Sequence, residues 1–98
     1  MARASSIITD EWDWCINCGK PYPEEHHILP GQLRKFSEEN GLVAPLCADC
    51  HRGYRNGVHG LNHDLDTKLK AFAQKKYEEL HSHEEWMQHV GRNYIYGV

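Results

Sequence analysis

Cys15-Ile16-Asn17-Cys18 and Leu46-Cys47-Ala48-Asp49-Cys50-His51 are the stretches that decide how this chain is read. The two C-x-x-C pairs are separated by 28 residues and account for all 4 cysteines. A C-x-x-C turn presents two thiolates on one side of a tight loop. Two such turns supply the four sulfur ligands that Zn2+ accepts in a tetrahedron at roughly 2.3 Å. Four sulfurs close the coordination shell, so a zinc ion here is expected to be structural. The competing arrangement, two disulfides, belongs to oxidising compartments and disulfide-dense secreted chains, and nothing else in the sequence has that character. A thioredoxin-like redox pair needs a βαβ surround for one motif and leaves the other without a role.

The size of the chain makes the metal matter. With 98 residues, everything must fit around one modest core, so a single domain is expected over residues 1–98. A core this small gains from a metal staple, and stripping the ion is expected to unfold the chain. Composition is ordinary, with 26% charged residues and no low-complexity run, so the chain is expected to fold. No apolar stretch approaches the length of a membrane span, and Met1 to Ile8 lacks the apolar core of a secretory signal, so no membrane partner and a cytoplasmic location are expected.

The net charge of -3 conceals a pattern. Residues 1–25 carry two basic and five acidic side chains, and residues 78–98 carry one and four, whereas residues 26–77 carry eight and five. A locally positive centre between acidic ends suits a small phosphate-contacting face and excludes a chain-wide polyanion binder. A solvated mixed surface explains the same pattern without any ligand.

Outward from the cysteines, Ile7-Ile8 and Trp12-Asp13-Trp14 alternate like a short strand or extended arm, with the tryptophans expected to pack beside the zinc. Gly19 to Pro23 is turn material. Glu24 to Leu29 suits a short strand stopped by Pro30-Gly31, and residues 32–40 form a polar connection with a helical turn near Ser37-Glu38-Glu39. Asn40-Gly41 turns the chain into an extended Leu42 to Leu46. After Cys50, three glycines between His51 and Gly60 limit any helix at the second knuckle to a short one. From Asp64, taken as N-cap, Leu65, Leu69, Phe72, Ala73, Tyr77 and Leu80 recur at helical spacing, and Ser82 with Glu85 forms a capping box opening a second helix that Gly91 ends.

Eight histidines are far more than such a chain ordinarily carries. A strand sends His26 and His27 to opposite faces, so one can bind a metal while the other addresses a water. At these residues the sequence resembles the HNH endonucleases, the ββα-metal group, in the zinc-stapled form found in phage and bacterial proteins. The carrying residues are C-I-N-C, H-H-I-L-P-G and P-L-C-A-D-C-H, with 24 residues from His27 to His51. H-H-I-L-P-G with the later G-V-H-G looks like small prophage-encoded nucleases of the RecA-dependent recombination-enhancement type. The resemblance spans Cys15 to His63.

The resemblance implies a small α+β fold: a zinc-bound ββα-metal core over residues 15–63 followed by two C-terminal helices over 64–98. It implies a metal-dependent endonuclease acting on DNA in a bacterial host cell, with a phage or host recombination or replication protein as a further partner. His27 matches the general base that deprotonates the attacking water. His26, His51 and His59 match ligands of a catalytic divalent metal, Mg2+ or Mn2+, with Zn2+ and Ni2+ also compatible with imidazole ligation. His63 is a weaker further ligand. Arg34, Lys35, Arg52 and Arg55 flank this site as candidate DNA contacts, whereas Lys68, Lys70, Lys75 and Lys76 follow a helix face. The family's central Asn, which orients the base, falls where Gly41 stands; Asn40, Asn56 and Asn62 are the nearest substitutes. A non-catalytic zinc-binding DNA or protein adaptor is the alternative from a different class.

Overall fold

The computed structural model of the chain describes residues 6–95. Two short strands, β1 (Glu24–His27) and β2 (Val43–Leu46), form an antiparallel pair in which Glu24 faces Leu46, Glu25 faces Pro45, His26 faces Ala44 and His27 faces Val43. The connection between them is ordered. A 3-10 turn at Gly31–Leu33 runs into α1 (Arg34–Glu39), longer than the single helical turn the sequence promised. Ser37 on α1 is buried, accepts from Leu29 N at 3.3 Å and donates to Leu42 O at 2.6 Å, and so pins the helix across the strand ends.

The second knuckle opens directly into α2 (Ala48–Arg52), only five residues long, as the following glycines require. Strand, strand and helix therefore follow one another with both cysteine pairs attached. Ile16 N donates to Pro45 O at 2.9 Å, which docks the first knuckle on β2 beside the second. Pro45 tolerates this position because the sheet has only two strands and no third needs its missing N–H.

The long helix α3 (His63–Leu80) starts one residue before the predicted N-cap: the capping side chain is Asn62, which accepts from Leu65 N at 3.1 Å. Leu65, Leu69, Ala73 and Tyr77 form its buried i,i+4 stripe. Phe72 and Leu80 lie off that stripe and are exposed, so the apolar face is narrower than the sequence spacing implied. The capping box at Ser82 and Glu85 opens α4 (His83–His89), whose Trp86 is buried and donates through Nε1 to Arg92 O at 2.7 Å. Gln74, also buried, reaches Asn93 Oδ1 at 3.0 Å and accepts from Tyr94 N at 2.7 Å, fastening the segment after α4 to α3. The core joins these helices to Ile28, Leu29, Leu42 and Leu46 of the strand region. Burial of so few large side chains leaves room for a metal staple to contribute to stability.

Candidate functional site

The four cysteines meet at one point. Cys15, Cys18, Cys47 and Cys50 bring their sulfurs within 4.8 Å of one another, and Cys18 Sγ lies 3.5 Å from Cys47 Sγ. The knuckle turns also supply N–H···S hydrogen bonds, from Cys18 N to Cys15 at 3.5 Å and from Cys50 N to Cys47 at 3.4 Å, while Asn17 Nδ2 donates to Cys50 at 3.4 Å. Burial works against ionisation of Cys15, but the N–H donors of Cys47, Cys18 and Asn17 outweigh it and bring the thiol down to about 7. Burial pushes Cys50 up to about 12. Three of the four are buried, the donor set is all thiol, and the group can hold a structural zinc ion. Trp14, next to Cys15 in the chain, is 51% exposed and pairs with Pro21 in an isolated antiparallel bridge.

A second cluster stands apart from the cysteines. His26 of β1, His51 of α2 and His59 of the glycine loop offer nitrogens within 4.8 Å of one another, with ring centroids 5.0 Å (26–51), 5.3 Å (26–59) and 4.9 Å (51–59) apart. The loop builds the third corner. Val58 N donates to Cys50 O at 2.9 Å and His59 N to His51 O at 3.1 Å, so the chain doubles back along α2 and sets His59 beside His51. This return requires Gly57 and Gly60: a Cβ on Gly57 would lie 2.5 Å from Gly53 N, and one on Gly60 would lie 2.3 Å from Tyr54 O. His63, the first residue of α3, lies outside the cluster.

His26 is the decisive member. It is 1% exposed, and neither ring nitrogen has a hydrogen-bond partner among the described residues. Buried imidazole nitrogens without partners are costly, and a ligand removes the cost. Burial, reinforced by repulsion from His51 and His59, brings His26 down to about 3, so at neutral pH it is the uncharged ring that metals bind. His51 has a fixed tautomer: Glu24 Oε1 lies 2.9 Å from Nδ1, and because a carboxylate only accepts, Nδ1 donates and Nε2 keeps its lone pair. Glu24 is itself held down to about 2, first by its hydrogen bond with Arg52 and then by that with His51. The donor set and the orphaned nitrogens of His26 both fit a divalent cation.

Strand alternation puts Glu24 and His26 on one face of β1 and Glu25 and His27 on the other. On that other face His27 Nε2 meets Glu38 Oε1 of α1 at 3.3 Å, with Glu25 Oε1 at 4.0 Å. Both faces nevertheless border one cleft of about 300 Å3, lined by Glu25, His26, His27, Arg34, His51 and His59 with the Pro30-Gly31 turn.

Of the predicted DNA contacts, Arg34 lines this cleft, Lys35 is exposed on α1, and Arg55 is exposed in the glycine loop. Arg52 is exposed but engaged by Glu24, with Nη2 2.7 Å from Oε2. The asparagine substitutes are all occupied elsewhere. Asn40 donates to Phe36 O at 2.9 Å, Asn56 to Asp49 Oδ2 at 3.0 Å and Asn62 to Asn56 O at 3.1 Å. The residue that reaches His27 is Glu38, which sequence reasoning placed only in a helical turn; nothing in a lone Glu on a polar helix announces it. Glu24 was missed for the same reason, although its two-residue spacing from His26 in a strand was an available signal.

No family model matches this chain, and no curated protein or solved structure matches it. Among the described residues no helix is long and apolar enough to cross a membrane.

Proposed function

We propose that this protein is a metal-dependent endonuclease of the HNH, ββα-metal kind that hydrolyses phosphodiester bonds in DNA. The observation that carries the reading is the buried His26, its two nitrogens unpartnered among the described residues and facing His51 and His59. A zinc staple alone has no use for such a cluster, which favours an enzyme over a non-catalytic zinc-binding adaptor. The order of strand, strand and helix, with ligand candidates on β1, α2 and the following loop, supports the same reading.

His26, His51 and His59 would hold the divalent cation, Mg2+ or Mn2+, or Zn2+ or Ni2+ as imidazole ligation also allows. Bound there, the ion supplies Lewis-acid stabilisation of charge on the scissile phosphate and the leaving 3'-oxygen. His27 is the general base, the imidazole that accepts a proton from the attacking water. Its Nε2–H is given to Glu38, which leaves Nδ1 to take the proton. Arg34, at the wall of the same cleft, would hold a phosphate, with Lys35 and Arg55 as outlying backbone contacts.

The test is nicking of supercoiled plasmid by zinc-loaded protein with Mg2+ or Mn2+ added, with His27→Ala alongside. Metal-dependent nicking that the variant loses, at unchanged zinc content, is the expected result. Full activity in the variant overturns the assignment of the base, and failure of the intact protein on both plasmid and single strands turns the reading toward the adaptor.

A further inference from the structure

A second cleft, of about 420 Å3, lies on the arm before β1 and belongs to neither metal cluster. Trp12, Asp13, Trp14, Pro21, Tyr22 and Pro23 line it. Its aromatic surface is unusually open: Trp14 is 51% and Tyr22 91% exposed. Tyr22 sits at φ 59°, a left-handed conformation that residues with a Cβ rarely adopt, and this turn keeps its ring in solvent instead of folding it onto the core. The walls are fixed by the first knuckle, through the bridge between Trp14 and Pro21 and the bond from Cys15 N to Lys20 O at 2.8 Å.

Charge selects the occupant. Asp13 lines the cleft, Asp10 and Glu11 precede it on the arm, and Lys20 is the basic residue nearest to it in sequence. Stacked nucleobases would bring phosphates against the Asp13 carboxylate on an acidic arm, which is unfavourable. A cation finds both an aromatic π-face and a carboxylate. Proline rings beside tryptophan also accommodate extended, proline-containing chain.

We infer that this cleft is a docking site for a basic, extended segment of a partner protein, an arginine or lysine side chain entering against the exposed rings of Trp14 and Tyr22 and pairing with Asp13. The site is separate from the histidine cluster, so the inference stands whether or not the chain cleaves DNA.

The experiment is a titration of the zinc-loaded, 15N-labelled full chain with a short capped peptide of alternating arginine and proline. An alternating glutamate–proline peptide and a thymidine oligonucleotide serve as comparators. Saturable shifts at the Trp14 indole and Tyr22 with the basic peptide alone are expected. Trp14→Ala, Tyr22→Ala and Asp13→Asn change exposed side chains, so they should retain zinc and helix content, and each should weaken binding about two- to fivefold. Linear, unsaturable shifts, equal binding by the three variants, or peptide shifts centred on His27 and His59 instead would overturn the inference. Saturable binding of the oligonucleotide at Trp14 and Tyr22 would overturn it in favour of base stacking.

Discussion

Nδ1 of His51 lies 2.9 Å from Oε1 of Glu24, and the same carboxylate is gripped by Arg52 Nε at 3.0 Å and Nη2 at 2.7 Å. One acid therefore fixes the ring of a candidate metal ligand and is itself held charged by a guanidinium. Groups that orient ligating histidines commonly matter to metal affinity by about 10–100-fold. Glu24→Ala is expected to weaken Mn2+ binding at the histidine cluster by that factor and to leave the four-cysteine zinc in place. Mn2+ titration followed by electron paramagnetic resonance, with zinc content measured on the same sample, checks it. Unchanged Mn2+ affinity would show that His51 is oriented without Glu24.

Glu38 offers a second, independent test of how the cleft is arranged. Its carboxylate lies 3.3 Å from His27 Nε2 and can only accept, so the contact favours the tautomer with the proton on Nε2. Glu38→Ala is expected to lower the nicking rate about 10–100-fold with little change in metal or zinc content, and Glu38→Gln, which keeps an acceptor oxygen, to recover part of the loss. The nitrogen chemical shifts of His27 report the tautomer directly and need no activity. An Nε2–H form in the intact protein that becomes a mixture in Glu38→Ala is the expected pattern, and an Nδ1–H form in the intact protein would contradict it.

Much of this architecture was legible because local chemistry is loud at caps and knuckles. The spacing of Cys15, Cys18, Cys47 and Cys50, the capping box of Ser82 and Glu85, and the i,i+4 stripe from Leu65 to Tyr77 each depend on neighbours a few residues away. The grouping of His26, His51 and His59 was anticipated through their motif positions, and the structure brings the three rings together. What sequence could not supply was orientation across the fold. Glu24 meets His51 from 27 residues away and Glu38 meets His27 from 11, contacts created by the strand pairing and by the buried Ser37 that seats α1. The exposure of Trp14 was likewise not legible, because apolar character alone does not say which side of an arm faces the core.

Acid should act on the fold through His26. Its pKa is brought from 6.5 to about 3, so below pH 6.5 the unfolded chain binds a proton there that the folded chain refuses. Stability associated with this ring is therefore complete above 6.5 and is lost as pH falls toward 3. Between pH 8 and pH 5, where carboxylates are still ionised, the loss amounts to about 2 kcal/mol. His26→Leu, of similar bulk and without a titrating group, is expected to show a correspondingly shallower fall. Urea unfolding of both proteins with one equivalent of zinc over this range provides the comparison, since zinc release is common to the two. Parallel curves would mean that protons reach His26 in the folded state.

The glycine loop gives the most selective way to remove the histidine cluster while sparing the staple. Val58 N and His59 N bond back to Cys50 O and His51 O, and this doubling depends on Gly57 lying against the backbone of Gly53. A methyl group on Gly57 would stand 2.5 Å from Gly53 N and 2.6 Å from Gly53 O, contacts with main chain that no rotamer can relieve. Gly57→Ala must therefore push the loop off α2 and carry His59 away from His51. Cys50 has holds independent of the loop: its N–H donates to Cys47 Sγ and its own sulfur accepts from Asn17 Nδ2. The expected result is a protein that keeps one tightly bound zinc and most of its helical signal, destabilised by about 1–3 kcal/mol, with Mn2+ affinity at the histidine cluster lost. Zinc content, circular dichroism and Mn2+ titration on one preparation measure all three. Loss of zinc together with Mn2+ would instead make the loop part of the staple, and retention of both would show that the backbone can yield without displacing His59.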